Sequence, residues 1–108
     1  MKAGAEAGKY TIGIDSNQNS LYPGSVLTSM LKNVDESVFR ALCFVRSGYL
    51  PFGTLEIIGV TDGAVGIARD ALYEKYVPSE IREEMKEIEG AIACGMIEVK
   101  SELTKVKP

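Results

Sequence analysis

Apolar positions change their period several times along this chain, and each change marks an element. Over residues 10–14 they fall on alternate positions around Gly13, the spacing of a strand with one buried face. Tyr, Thr and Ile favour extended backbone there, and Gly13 would let another backbone approach closely. Upstream, the Ala-rich residues 2–7 predict the last turn or two of a helix stopped by Gly8. Downstream, Asp15 opens a polar stretch. Residues 16–24 read as loop, closed by the turn pair Pro23-Gly24.

From residue 26 the period turns helical. Val26, Leu27, Met30, Leu31, Val34, Val38, Phe39, Leu42 and Val45 predict one long helix packed on a sheet, with Ser25 as N-cap and Gly48 as its stop. Residues 50–53 contain Pro and Gly and form a turn. "TLEIIGV" at 54–60 predicts a second strand, and "TDGAVGIA" a Gly-rich turn followed by a short apolar run. Residues 69–76 are weakly patterned. Pro78 and Ser79 open a second long helix, with Glu80, Glu83 and Glu84 near the positive end of its dipole. Its apolar stripe is Ile81, Met85, Ile88 and Ile92, and Gly95 ends it. "MIEV" at 96–99 reads as a short final strand. The alternation predicts an α/β fold with a mostly parallel sheet flanked by helices. Such a sheet leaves edges open, both helices need a face to cover, and the first residues look like the tail of a helix begun elsewhere. An incomplete unit is the expectation.

The chain's 108 residues bound it to one domain. A net charge of −3, with no stripe of Lys and Arg, excludes nucleic acid as a partner, because phosphate neutralisation needs a basic patch. Lys100, Lys105 and Lys107 share the tail with Glu98 and Glu102, which reads as a solvated end. Histidine is absent, which removes the usual general base and the commonest metal ligand together. No metal or cofactor is expected. Cys43 and Cys94 sit in apolar helical patterns without C-x-x-C spacing, so buried, unbridged thiols are expected. No run approaches the roughly 20 apolar residues of a membrane span. "MKAGAEAGKY" lacks the apolar core of a signal peptide, so the chain as given is expected to be neither exported nor anchored.

Few residues offer chemistry. Asp15 stands where a strand of an open α/β sheet ends, the place such sheets bind ligands. An ionised carboxylate can accept two hydrogen bonds side by side, which matches the vicinal hydroxyls of a ribose. The competing reading is that Asp15 caps its own loop through backbone amides. "VTDGAVG" is neither a dinucleotide fingerprint nor a P-loop. A tight strand-to-strand turn accounts for it, although Asp62 and Gly63 would line a cleft if that turn lay beside the end of the first strand. Ser16, Ser25, Thr28 and Ser29 have no histidine to activate them, so nucleophilic catalysis is not expected. Asp35-Glu36 and the Glu-rich stretch 80–89 read as solvated surface.

Taken together, "GIDSNQN", "PGSVLTSMLKNVDESVF", "GVTDGAVGIA", "VPSEI" and "CGMIEV" resemble the C-terminal part of the basic membrane protein family over residues 4–100. These are purine-nucleoside receptor lipoproteins, the substrate-binding components of ABC transporters. The resemblance implies a partial type I periplasmic-binding-protein lobe, with residues 1–108 as the C-terminal segment of that fold. It implies a non-catalytic site in which Asp15 contacts ribose, with Ser16 beside it and Asp62 and Gly63 near the same cleft. It also implies an ABC transporter permease as partner and an extracytoplasmic, membrane-anchored parent. Asn17 replaces the second acidic residue of the family's D-S-D-Q, and Thr61 stands where a lysine is common. The bare segment is expected to self-associate as a homo-oligomer, exchanging strands or helices between copies. The alternative function is a self-associating structural α/β unit with little ligand binding of its own.

Overall fold

A computed structural model describes residues 1–100 of the chain. Three strands form its centre, β1 (Thr11–Gly13), β2 (Val26–Lys32) and β3 (Val65–Ile67), in the spatial order β1-β2-β3. β1 runs parallel to β2, pairing Thr11 with Val26, Ile12 with Thr28 and Gly13 with Ser29, with an irregularity after Thr11. β3 runs antiparallel to β2 and pairs Ile67 with Met30, Gly66 with Leu31 and Val65 with Lys32. The α/β class stands, but the sheet is mixed rather than mostly parallel.

The long helix expected from residue 26 divides in two. Its first part, "VLTSMLK", is β2, and only Val34–Ser47 is helical, forming α2. A central strand paired on both sides carries a nearly continuous apolar run, and over seven residues such a run cannot be told from helix by period alone. Ser25 is therefore no cap. Its carbonyl accepts from the Thr11 amide and its hydroxyl donates to the Lys9 carbonyl at 2.8 Å, so it leads the chain into the sheet. Gly48 does stop α2, in the left-handed conformation with φ 76°. Neither "TLEIIGV" nor "MIEV" forms a strand. Leu55, Ile57, Met96 and Val99 stand open to solvent; with no neighbouring strand among the described residues to complete a ladder, β propensity alone does not hold an extended segment.

The remaining helices are short α1 (Lys2–Glu6), α3 (Ala71–Tyr76) and long α4 (Ser79–Ala93). Pro78 does precede α4 as its N-cap residue, and Gly95 follows it at φ 79°. The core is small: Val26, Ala64, Ala68, Tyr73 and Val77. It lies where α3 and the chain after β3 meet β2. The apolar stripe of α4 faces the sheet but stands off it, leaving two apolar cavities. One, of about 190 Å³, is lined by Met30, Ile67, Met85 and Ile92 among others. The other, of about 160 Å³, lies between Ile12, Leu27, Tyr73 and Ile81. Cys43 and Cys94 are free, as expected, but exposed rather than buried. Cys43 lies on the surface of α2, and Cys94 is the C-cap residue just past α4.

Uncovered surface is the chief departure from a self-sufficient domain. The chain exposes 8368 Å², where a folded monomer of this mass exposes about 5,900 Å². Its radius of gyration is 17.0 Å, against about 13 Å for a compact chain of this length. Among the described residues, α2 and residues 49–59 carry many of the exposed large apolar side chains, Val38, Phe39, Leu42, Tyr49, Phe52 and Leu55 among them.

Candidate functional site

The candidate site is built at one edge of the sheet. Parallel β1 and β2 both end there, and antiparallel β3 begins there. Past Gly13 the chain must turn at once. The Ser16 amide donates to the Ile14 carbonyl at 2.9 Å, closing a three-residue turn with Asp15 at its apex. Asp15 has φ 68° and is the one non-glycine residue with positive φ among those described. Aspartate is among the few types that tolerate this region. The backbone carbonyl of Asp15 accepts from the Lys32 amide at 3.0 Å, pinning the turn to the end of β2.

That geometry turns the Asp15 side chain outward. It is 60% exposed, and its Oδ1 meets Lys32 Nζ at 3.1 Å. It caps no backbone amide of its loop. That work falls to its neighbours: the Asn17 side-chain carbonyl accepts from the Asn19 amide at 3.0 Å, and Gln18 Oε1 accepts from the Ile14 amide at 3.2 Å. Ser16, next to Asp15, is also exposed. Gly13 is needed for close approach, though to side chains rather than backbone. A Cβ there would lie 2.5 Å from Ser29 Oγ and 3.0 Å from Gln18 Cβ.

Beneath the turn lies a buried polar network that sequence reasoning missed. Asn19 and Ser29 are both fully buried. Ser29 Oγ accepts from the Gln18 amide at 3.0 Å and donates to Asn19 Oδ1 at 2.8 Å. Asn19 Nδ2 donates to Asp70 Oδ1 at 3.1 Å, and Asn17 Nδ2 to Asp70 Oδ2 at 2.8 Å. The same Asp70 carboxylate N-caps α3 by accepting from the Tyr73 amide at 2.9 Å. Donation from Asn17, then from the Tyr73 backbone, holds the Asp70 carboxyl below the usual carboxylate range. Asn17 therefore has a positive use. A second aspartate at that position would set two carboxylates face to face at hydrogen-bond distance. One signal was available: Ser29 is a polar residue inside an apolar run, and such residues are buried only when partnered.

Asp62 and Gly63 reach the same edge from β3's side, but with a different fate. A 3-10 turn, Val60–Asp62, precedes β3. Asp62 Oδ2 accepts from the Gly59 amide at 3.1 Å, and Oδ1 pairs with Arg40 of α2 at 3.1 Å. This carboxylate is spent inside the molecule. Gly63 has φ 70°, and its carbonyl accepts from the Asn33 side chain at 2.9 Å. The Asn33 amide donates to the Ala64 carbonyl at 2.8 Å. Lys32 and Asn33 thus join the two turns, one side touching Asp15 and the other Gly63. Thr61 Oγ1 donates to the Ala93 carbonyl at 3.2 Å, tying the second turn to the end of α4. Lys32, Asn33 and Arg40 were overlooked because the sequence placed them within one long helix, where they share no edge with Asp15.

Asp15 carries one ion pair, so its second oxygen remains available. Among the described residues no three His, Cys, Asp or Glu side chains converge as a metal site, and no helix is long and apolar enough to cross a membrane. The two cavities lie under α4, away from Asp15.

A family model described as "ABC transporter substrate-binding protein PnrA-like" matches residues 1–98. Basic membrane protein A of Borreliella afzelii is 33% identical over 91 residues, covering 80% of this chain and 26% of that protein. Basic membrane protein A2 of Borrelia garinii subsp. bavariensis is 31% identical, covering 80% of this chain and 25% of that protein. The chain thus spans about a quarter of the length of the curated relatives it matches. Among solved structures, a transcriptional activator of the comK gene from Bacillus halodurans superposes with a TM-score of 0.72 at 25% identity, covering 85% of this chain and 31% of that one. A solute-binding protein of an ABC transporter system from Aeropyrum pernix K1 has a TM-score of 0.64 at 21% identity, covering 94% and 36%. The fold is that of a partial periplasmic-binding lobe, and the chain belongs to the PnrA-like family of ABC transporter substrate-binding proteins.

Proposed function

We propose that this chain supplies the ribose-holding edge of a purine-nucleoside receptor and performs no catalysis. The observation that carries this reading is the Asp15 side chain, held outward at the carboxyl end of the parallel strand pair by a left-handed turn. Backbone in that region is retained where its surroundings fix it, and here Lys32 and the Asn19–Ser29–Asp70 network do so. One carboxylate oxygen keeps Lys32; the pair together offers an acceptor and a cation to adjacent sugar hydroxyls. Ser16 adds a hydroxyl beside them. Asp62 and Gly63 lie on the far side of the same edge, and in this reading their part is a supporting one, because the Asp62 carboxylate is already engaged. Family membership supports a small-molecule solute and a transporter permease as partners of the parent, an extracytoplasmic lipoprotein in this reading.

Calorimetric titration with inosine, guanosine and adenosine tests it. Binding that falls at least tenfold in Asp15→Ala, and similarly when the ribose lacks its 2′- or 3′-hydroxyl, supports the proposal. An Asp15→Ala variant with unchanged affinity defeats it. No heat at millimolar nucleoside would favour the alternative of a structural unit. A lone lobe leaves the ligand open on one side, so affinity well below that of a closed two-lobe clamp is expected.

A further inference from the structure

We infer that Asn17 and Asp70 are the positioning pair of the Asp15 turn, a role in the sugar site that rests on the reading above. Neither is a ligand contact; their hydrogen bond decides where the Asp15 carboxylate points. Positive φ at a non-glycine residue persists only where neighbouring bonds over-determine it. On the strand side of the turn, the Asp15 carbonyl accepts from the Lys32 amide and Gln18 Oε1 accepts from the Ile14 amide. On the loop side the chain passes through Ser16 to Asn17, whose Nδ2 donates to Asp70 Oδ2 at 2.8 Å. Asp70 is itself fixed, because Oδ1 accepts from the Tyr73 amide at 2.9 Å and from Asn19 Nδ2 at 3.1 Å. The loop that carries Asp15 is thereby tied to the start of α3. Asn19 and Ser29 are buried and hold the fold, whereas Asn17 is exposed, so its donor serves the turn rather than the core.

Hydrogen-bond capacity shows how to isolate that one bond. Asn17 uses both ends of its side chain: Oδ1 accepts from the Asn19 amide and Nδ2 donates to Asp70. Asp70 gives Oδ1 to α3 and Asn19, and Oδ2 to Asn17. Asn17→Asp keeps an acceptor for the Asn19 amide but sets carboxylate against carboxylate. Asp70→Asn keeps an acceptor for Tyr73 and Asn19 but sets one side-chain NH2 group against another. Making both substitutions at once puts a donor at 70 opposite an acceptor at 17. Every bond of the network is then satisfied again, with the polarity of the 17–70 bond reversed.

Amide exchange of the 108-residue chain, followed by NMR at Ser16 and Lys32, reads the turn with no ligand present. Those two amides donate to the Ile14 and Asp15 carbonyls. Each single variant should exchange there roughly fivefold faster, the size of one exposed hydrogen bond. The Ala68 amide, bonded to the Ser29 carbonyl in the core, should keep its protection, and the double exchange should return Ser16 and Lys32 to the native rate. In calorimetric titration with inosine, affinity should fall by a similar factor in Asn17→Asp and recover in the double exchange. In an Asp15→Ala background it should no longer respond to residue 17, which a merely structural role would not produce. Unchanged exchange at Ser16 and Lys32 in the single variants overturns the pair's role. So does a double exchange no better than either single variant, or an affinity loss just as large without Asp15. Turn exchange that responds to residue 17, beside nucleoside affinity that ignores Asp15→Ala, instead defeats the sugar reading and leaves the pair as what positions the turn.

Discussion

The molecule has two regions that obey different rules. Around β2, Asn19, Ser29 and Asp70 close a buried polar network, and Tyr73 and Val77 cover it, the Tyr73 hydroxyl alone in that core lying buried without a partner among the described residues. In the arm formed by α2 and residues 49–59, apolar side chains lie open and the attachments are ionic. Val34, Tyr49, Phe52 and Leu55 are all more than half exposed, and Arg40 joins the arm to the turn before β3. Hydrophobic burial stabilises the first region, whereas exposed ion pairs contribute little to the second. The body can hold the Asp15 turn in place; the arm is poised to be covered by something else.

The sharpest way to break this contrast is to cut the network at its hub. Asp70→Ala removes the cap of α3, costing about 1 kcal/mol. It also leaves the buried Asn19 Nδ2 without an acceptor, costing about 2 kcal/mol more. Thermal unfolding should then fall by roughly 10–20 °C for a domain of this size. Phe39→Ala on the arm, measured in the monomer, should change stability by no more than about 0.5 kcal/mol. Equal losses at the two sites would erase the distinction between body and arm.

Gly13→Ala probes the same region from the sheet side. The added Cβ would press on Ser29 Oγ, which is fully buried and held by two hydrogen bonds. Overpacking of this kind costs about 1–3 kcal/mol. It should also displace the Asp15 turn, so nucleoside affinity and melting temperature should fall together. Alanine at Gly48, on the arm, meets no atom within 4 Å and strains only its positive φ. Its cost should be smaller, about 1 kcal/mol.

Acid should separate the regions without mutation. The Asp70 carboxyl titrates below its ordinary value of 3.8 in the folded chain because Asn17 and the Tyr73 amide donate to its ionised form. In the window below that ordinary value the unfolded chain binds more protons, so stability rises with pH there. Its contribution is complete above the usual carboxylate range and is lost as pH falls through the depressed folded value. Urea unfolding followed through that window should show this slope in the native chain and lose most of it in Asp70→Asn. An unchanged slope in the variant would mean that the network is not what acid dissolves.

How far the sequence foretold each region follows from the same physics. α4, the first strand and the Gly8 and Gly48 stops were legible because each rests on local chemistry: a proline start, a β-branched run, a glycine that can adopt positive φ; the direction of Asp15 was left open between a cleft and a cap of its own loop. The strand character of 26–32 was not, because Val26, Leu27, Met30 and Leu31 suit a buried strand and a buried helix equally. Only pairing with β1 and β3 decides between them, and pairing is not local. The same gap hid Lys32, which becomes Asp15's neighbour only when β2 lies beside β1. "TLEIIGV" fails the opposite way, since its propensity suits a strand, but no partner strand lies beside it among the described residues.

The smallest expected effect tests what joins the regions. Arg40→Ala removes the pairs to Glu56 and Asp62 and the stacking on Phe44. The guanidinium is about one-third exposed, so the global loss should stay near 1 kcal/mol or less. The local consequence should be larger than the global one. Amide exchange across residues 34–47 should accelerate while Ser29 and Tyr73 keep their protection. The Asp62 carboxylate, released from Arg40, would still hold the Gly59 amide, so the turn before β3 should persist. If exchange instead rises equally in α2 and in β2, the ion pairs are part of the body's cooperative unit, and the arm is not a separate element at all.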